Sequence, residues 1–173
     1  RDKNNHCIFD EKDIQLIVDM LVKQEQEHLE QFATIMGKYT NDGLVTEHFE
    51  IWDNSLLEQT RTTVTPASQK MWNAIGENMK MKNADFLITL HTHPEEYGTN
   101  PTGQLDSSDT KAFKDWTQNF DDFSNRICIN GIVTGRDGLL LTYYNKEKDN
   151  FITIPYEVVQ NKHTLHEEQN HIR

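Results

Sequence analysis

The feature that most constrains the fold is a short apolar run at residues 84–90, centred on Phe-Leu-Ile-Thr-Leu. Its length is typical of a strand rather than a helix, and apolar and polar residues do not alternate along it. A strand with this pattern is buried on both faces of its sheet. The run therefore predicts a sheet with further layers packed against it.

Hydrophobic periodicity elsewhere predicts three helices and further strands around this run. The helices are expected from residue 11 to the high twenties, from 68 onward and over 107–121. The strands are expected over 6–9, 30–39, 44–52, 84–90, 127–134, 139–144 and 151–154. This order describes a single-domain α/β (α+β) fold, a three-layer-like sandwich with a mixed sheet and flanking helices. We expect this domain to span 1–160 and a polar, histidine-containing tail to span 161–173.

Local signals support several of these boundaries. Asp10, with Asp13 three residues on, is the expected N-cap of the first helix. Asn41-Asp42-Gly43 predicts a tight hairpin between the second and third strands. The segment Gly135-Arg136-Asp137-Gly138 predicts another hairpin later in the chain.

The charge of the chain argues against several kinds of partner. It has 173 residues and a formal net charge of −11, whereas nucleic acids and anionic membranes attract basic surfaces. No apolar run approaches the roughly 20 residues of a membrane helix. We therefore expect no nucleic acid and no membrane as partners. Cys7 and Cys128 form no Cys-x-x-Cys pair, which favours a reducing compartment, and we expect a cytoplasmic protein.

The residues that indicate chemistry are concentrated in the segment Leu90-His91-Thr92-His93-Pro94. Side chains two residues apart on a strand point to the same face, so both imidazoles can converge on one metal ion. Asp109 follows in the first turn of the third helix, if Asp106 is the N-cap. Two His and one carboxylate leave a fourth position for water, as in catalytic zinc sites, whereas structural sites have four protein ligands. We expect one Zn²⁺ per chain.

A zinc hydrolase also needs a group that accepts the proton of the attacking water, and this group is usually a glutamate. The upstream candidates are Glu27, Glu30, Glu47, Glu50 and Glu58. Residue chemistry alone does not choose among them.

The combination of His91, His93, Pro94 and Asp109 resembles the JAMM motif of the JAB/MPN metalloprotease family. That motif consists of a Glu in an early strand, then His-x-His-Pro, and then Ser-x-x-Asp. The resemblance extends from about residue 8 to residue 155 through motifs and element order.

The early strand of that family commonly reads Glu-x-x-Gly-x-Leu-x-Gly. Glu30 and Gly37 match its first and last positions, and Ala33 and Ile35 replace the Gly and Leu between them. The resemblance therefore implies that Glu30 is the general acid/base.

The resemblance implies a fold and an activity for the whole domain. The fold is the JAB/MPN architecture, which is related to that of cytidine deaminases. The activity is that of a zinc metalloprotease, a deubiquitinase-like isopeptidase in which His91, His93 and Asp109 bind the ion. Its expected partner is a protein or peptide substrate, for example the C-terminus of a ubiquitin-like protein or a small protein conjugate.

Two departures from the family pattern concern the segment after His93. The loop before Asp109 is a few residues longer than is usual, and Tyr97 within it is a candidate substrate contact. Asp106 occupies the position of the family's Ser, which helps to orient the reacting carbonyl. Because an ionised carboxylate cannot donate a hydrogen bond, Ser107 or Ser108 is the candidate for that role.

Two other functions fit parts of the pattern. A metal-free MPN-type protein-interaction module would not need the three ligands and Glu30 together. A nucleoside deaminase would need a Pro-Cys-x-x-Cys motif, which the sequence lacks. Cys128 is expected to be a small core residue, and His163, His166 and His171 are expected to belong to a solvated tail.

Overall fold

The computed structural model of the chain describes residues 6–94, 107–124 and 126–162. Within these ranges the helices are α1 (Glu11–Glu27), α2 (Gln69–Met81) and α3 (Ser107–Ser124). The strands are β1 (Cys7–Asp10), β2 (Phe32–Thr40), β3 (Gly43–Ile51), β4 (Leu57–Gln59), β5 (Val64–Pro66), β6 (Phe86–Thr92), β7 (Ile127–Thr134), β8 (Gly138–Asn145), β9 (Asn150–Thr153) and β10 (Tyr156–Val159).

Eight of these strands form one sheet in the order β10-β1-β3-β2-β6-β7-β8-β9. β1 is parallel to both of its neighbours and β6 is parallel to β7. The remaining neighbours in the sheet are antiparallel, and β4 and β5 form a separate hairpin. The mixed sheet that the sequence predicts is therefore confirmed.

Helices cover both faces of this sheet, as the apolar run at 84–90 predicts. Alternate residues of β2 point to opposite faces, because the side-chain period of a strand is two. Ala33 packs in a core that includes Ile17 of α1. Phe32 packs in a second core that includes Ile75 of α2, with Trp116 of α3 against it. The fold is thus a mixed α+β domain with α1 on one face and α2 and α3 on the other.

Two predicted strands are shifted along the chain. The strand expected over 30–39 begins at Phe32, so Glu30 precedes β2. The strand expected over 84–90 spans Phe86–Thr92. Its start is delayed because the N–H of Ala84 donates to the carbonyl of Met79 and so closes the end of α2 (2.9 Å).

The sequence analysis missed β10 and the β4–β5 hairpin. The strands of the hairpin have three residues each, which is too short for a period to be recognised. β10 lies parallel to β1 at an edge of the sheet. Lys162, assigned above to the tail, contacts the start of α1, where its Nζ lies 2.8 Å from Oδ2 of Asp13. The histidines at 163, 166 and 171 lie outside the described residues.

Other expectations concern the cysteines, the first helix and membranes. Cys7 and Cys128 are both buried, and burial raises the pKa of the Cys7 thiol to about 12. Asp10 and Asp13 form a reciprocal capping box at the start of α1, as predicted. No helix in the described part of the chain is long and apolar enough to cross a membrane.

Candidate metal centre

The C-terminal end of β6 brings two histidines together. His91 lies in the strand and His93 directly follows it, with 4% and 9% of their surfaces exposed. Both side chains point to the face that α2 and α3 cover. Their Nε2 atoms lie 2.9 Å apart, so the local strand geometry directs both rings to one point, as the sequence predicts.

The first turn of α3 adds a carboxylate to this pair. The helix begins at Ser107 and Asp109 is its third residue. Oδ1 of Asp109 lies 3.4 Å from Nε2 of His91, and its Oδ2 lies 3.1 Å from Nε2 of His93. The three predicted ligands therefore converge although Asp109 is distant from the histidines in the sequence.

The distances between these donor atoms fit a small tetrahedral ion. Ligands about 2.0–2.1 Å from a tetrahedral zinc ion lie roughly 3.3 Å from one another. The Nε2 atoms of His91 and His93 lie 2.9 Å apart. Oδ1 of Asp109 lies 3.4 Å from the first of them and Oδ2 lies 3.1 Å from the second.

Glu30 approaches the same point from the segment just before β2. Phe32 pairs with His91 across β2 and β6, and the N–H of Thr92 donates to the carbonyl of Gln31 (3.1 Å). Continuing this register places Glu30 opposite His93. Glu30 is 2% exposed, and it offers a carboxylate oxygen within 4.8 Å of a ring nitrogen of each histidine.

The charges of these side chains also fit a cation. Buried carboxylates require a compensating positive charge or strong hydrogen bonds. The group combines the carboxylates of Glu30 and Asp109 with two imidazoles, a set of donors that suits a divalent ion. Glu30, His91 and His93 thus form a buried group that can hold a metal ion, with Asp109 beside it.

The ionisation of Asp109 reflects these neighbours. Burial by itself would raise the pKa of this carboxyl group, but hydrogen bonds and charge interactions with His91 and His93 outweigh burial. The pKa of Asp109 is therefore held well below its ordinary value. At neutral pH the group has the ionised form that a metal ligand requires.

The structure separates Glu30 from the other candidate proton acceptors. Glu47 and Glu50 are exposed on β3, and Glu27 and Glu58 are exposed as well. Glu30 is the buried member of the set. Its backbone is also fixed, because its N–H donates to the carbonyl of Thr60 (3.0 Å) and its carbonyl accepts from Nε2 of Gln59 (2.8 Å).

Aromatic rings pack directly against the histidines. The ring of Phe113, which is fully buried on α3, lies edge-on to the ring of His91 with centroids 5.8 Å apart. Phe32 packs edge-on against Trp72 and Trp116, each with a centroid distance of 6.3 Å. This packing restricts the orientation of the His91 ring.

The sequence analysis missed one side chain that holds His93 in place. Nε2 of Gln24, on α1, donates to the carbonyl of His93 (3.0 Å), and the N–H of His93 donates to the carbonyl of Val133 (3.0 Å). A lone glutamine on a helix carries no sequence signal for such a contact, because its partner lies 69 residues away.

The remaining predicted site residues lie mostly outside the described residues. Ser107 and Ser108 are the first two residues of α3. Tyr97 and Asp106 fall in the segment 95–106, which is not described. Cys128 is fully buried in the core of the α2 face, as expected.

No protein-family model and no curated protein matches this sequence. The fold is similar to that of solved structures, among them the solution structure of protein DSY2949 from Desulfitobacterium hafniense. The two chains share 10% sequence identity and a TM-score of 0.58, over 90% of this chain and 94% of that one. At this level of identity the similarity shows a common fold and carries no information about activity.

Proposed function

We propose that this protein is a zinc-dependent metallopeptidase of the JAMM type that hydrolyses an amide or isopeptide bond. The observation that carries the proposal is the convergence of His91, His93 and Asp109 at distances of 2.9–3.4 Å, with Glu30 buried beside them. The order of strands and helices supports the JAB/MPN architecture. Zinc is the favoured ion, because two imidazoles and a carboxylate with an open fourth position are typical of catalytic zinc sites.

In the proposed reaction, the metal ion and the side chains of this protein have different roles. When bound, zinc supplies Lewis acidity, which polarises the amide carbonyl and lowers the pKa of a water molecule. Glu30 accepts the proton of that water at a carboxylate oxygen and then donates it to the leaving nitrogen. Asp109, His91 and His93 serve as ligands, and Gln59 and Thr60 hold the backbone of Glu30 in place.

The resemblance to the JAMM motif assigns Glu30 to proton transfer and Asp109 to the ion. Each oxygen of Asp109 lies at a tetrahedral ligand spacing from one histidine nitrogen. Glu30 offers a carboxylate oxygen within 4.8 Å of a ring nitrogen of both histidines, and in this proposal that oxygen accepts a proton. The substrate that fits the resemblance is the C-terminus of a ubiquitin-like protein or a small protein conjugate.

The test is hydrolysis of defined amide substrates. The zinc-loaded protein would be incubated with isopeptide-linked diubiquitin and, separately, with a proteome-derived peptide mixture, and the products identified by mass spectrometry. We expect cleavage of one of these substrates, inhibition by 1,10-phenanthroline and recovery on adding zinc. His93→Ala should be inactive, and His48→Ala, which changes an exposed histidine on β3, should retain activity.

The opposite result would favour the second function considered above. If the zinc-loaded wild-type protein cleaves neither substrate, the peptidase proposal fails. An MPN-type protein-interaction module is then the better interpretation of the same fold.

A further inference from the structure

A chain of buried polar side chains crosses the layer between the sheet and α3. The hydroxyl of Thr89 on β6 donates to Oδ1 of Asn130 on β7 (2.7 Å). Nδ2 of Asn130 donates to Oγ1 of Thr117 on α3 (3.0 Å). The Thr117 hydroxyl makes a longer contact, of 3.4 Å, to the carbonyl of Cys128. Thr89 and Asn130 are fully buried, and Thr117 is 2% exposed.

This chain connects the two elements that carry the candidate ligands. Thr89 lies two residues before His91, on the same face of β6, and pairs directly with Asn130 in the sheet. Thr117 lies two turns beyond Asp109 on α3, about 12 Å along the helix axis. Phe113 lies between them on the same stripe of the helix and packs against the ring of His91.

Hydrogen bonds fix a geometry that apolar packing alone leaves free. Apolar contacts are nearly non-directional, so a helix held only by them can rotate or slide by small amounts. Hydrogen bonds are directional and weaken steeply when misaligned. A metal centre tolerates displacements of its ligands of only about 0.5 Å, and Asp109 is the one candidate ligand that α3 carries.

We propose that Asn130 and Thr117 are positioning residues for the metal centre. Through Thr89 they lock the position of α3 on the sheet, and thereby the distance from Asp109 to His91 and His93. The inference rests on the metal centre of the proposed function, but it does not depend on which substrate is hydrolysed.

The test compares zinc affinity with folding in matched variants. Thr117→Val removes the hydroxyl at nearly constant volume, and Thr117→Ser retains it. Thr142→Val is the control, because Thr142 is a buried threonine on β8 whose hydroxyl donates to Ile152 (3.3 Å). Zinc dissociation constants would be measured by competition with a chromophoric chelator, and ligand geometry by the visible absorption of the cobalt-substituted protein.

The inference predicts a selective loss of metal binding. Thr117→Val should weaken zinc binding about tenfold or more, the range seen for residues that support metal ligands, and should alter the cobalt spectrum. Thr117→Ser should restore both properties, and Thr142→Val should leave both unchanged. Equal zinc affinity in Thr117→Val and Thr142→Val would overturn the inference.

A second variant protects the test against misfolding. Thr117→Val leaves the amide of Asn130 buried without its acceptor, whereas the triple variant Thr89→Val/Asn130→Leu/Thr117→Val removes all three partners, and replacing every partner together is often nearly neutral for folding. The triple variant should be folded by circular dichroism and still bind zinc weakly. Full zinc affinity in it would refute the positioning role.

The outcomes also separate this inference from the proposed activity. If the wild-type protein binds no zinc, the metal centre and the inference both fail. If it binds zinc but hydrolyses no amide, only the peptidase proposal fails.

Discussion

Glu30 and His93 oppose each other just beyond the end of the antiparallel pair formed by β2 and β6. The register that joins Phe32 to His91 continues through the backbone hydrogen bond from Thr92 to Gln31. As a result, the carboxylate of Glu30 and the imidazole of His93 share one face of the sheet. A proton acceptor and a metal ligand are thus placed together by strand pairing.

The first prediction concerns metal content. The wild-type protein should bind one zinc ion per chain, and His93→Ala should lose it because two protein ligands hold zinc poorly. Elemental analysis of the purified proteins measures this directly. His48→Ala is the matched control, since this histidine is exposed on β3. Full zinc content in His93→Ala would show that the ion is bound elsewhere.

The second prediction separates ligand from proton acceptor. Glu30→Gln should keep the fold and the zinc but lower turnover by about 10²–10⁴-fold, the usual contribution of a general acid/base. Zinc content and rate would be measured on the same preparation, with Glu47→Gln and Glu50→Gln, which change exposed residues of β3, as controls. Loss of zinc in Glu30→Gln would make Glu30 a ligand. An active Glu30→Gln beside an inactive control would refute the placement of the early strand.

The third prediction concerns Gly37, which matches the last glycine of the family's early strand. The pairing of β2 with β3 shifts register between Met36 and Gly37. A Cβ atom at Gly37 would lie 2.0 Å from the carbonyl oxygen of Val45 and 2.8 Å from Cζ of Phe86. Gly37→Ala should therefore lower the free energy of unfolding by about 3 kcal/mol or more, since overpacking forces the backbone to move.

Gly138→Ala provides the comparison for this measurement. Gly138 has a φ of +79° but open space around its Cβ position. Gly138→Ala should therefore lower the free energy of unfolding only through the strain of a left-handed backbone, by about 1–2 kcal/mol. Urea denaturation followed by tryptophan fluorescence gives both values. Equal losses in the two variants would show that the strand relaxes around the added methyl group.

The fourth prediction addresses Asp106, which stands where the family has Ser. Asp and Ser are both good N-caps, and α3 begins directly after this position, at Ser107. A carboxylate close to a cation stays ionised and cannot donate a hydrogen bond. Asp106→Ser should therefore preserve fold and zinc and leave activity equal or higher.

Asp106→Ala tests the capping role separately. It should cost about 1 kcal/mol of unfolding free energy through loss of the cap, without loss of the ion, as measured by thermal denaturation and elemental analysis. If Asp106→Ser releases the zinc, Asp106 rather than Asp109 is the ligand, and the match to the family spacing fails.

Local features of the fold could be predicted from the sequence because they depend on near neighbours. The capping box of Asp10 and Asp13, the hairpin turn before β3 and the shared direction of His91 and His93 all follow from backbone geometry over a few residues. The ends of the strands were predicted less accurately. The backbone hydrogen bond from Ala84 to Met79 shortened the predicted strand at its start, and no residue type in that segment signals such a bond.

The sequence by itself determined the mixed sheet with layers on both faces, the pair of histidines at a strand end and an acidic residue at the start of the next helix. Only the tertiary structure showed that Glu30 is buried whereas the other four candidate glutamates are exposed. It alone brought Asp109 to within 3.4 Å of both histidines and linked Thr89, Asn130 and Thr117 in the core. The physical reason is the distance in sequence over which each feature is determined. Hydrophobic periodicity and helix caps depend on the sterics of neighbouring residues. The contacts of the site arise from the pairing and packing of elements far apart in the chain, which no local pattern encodes.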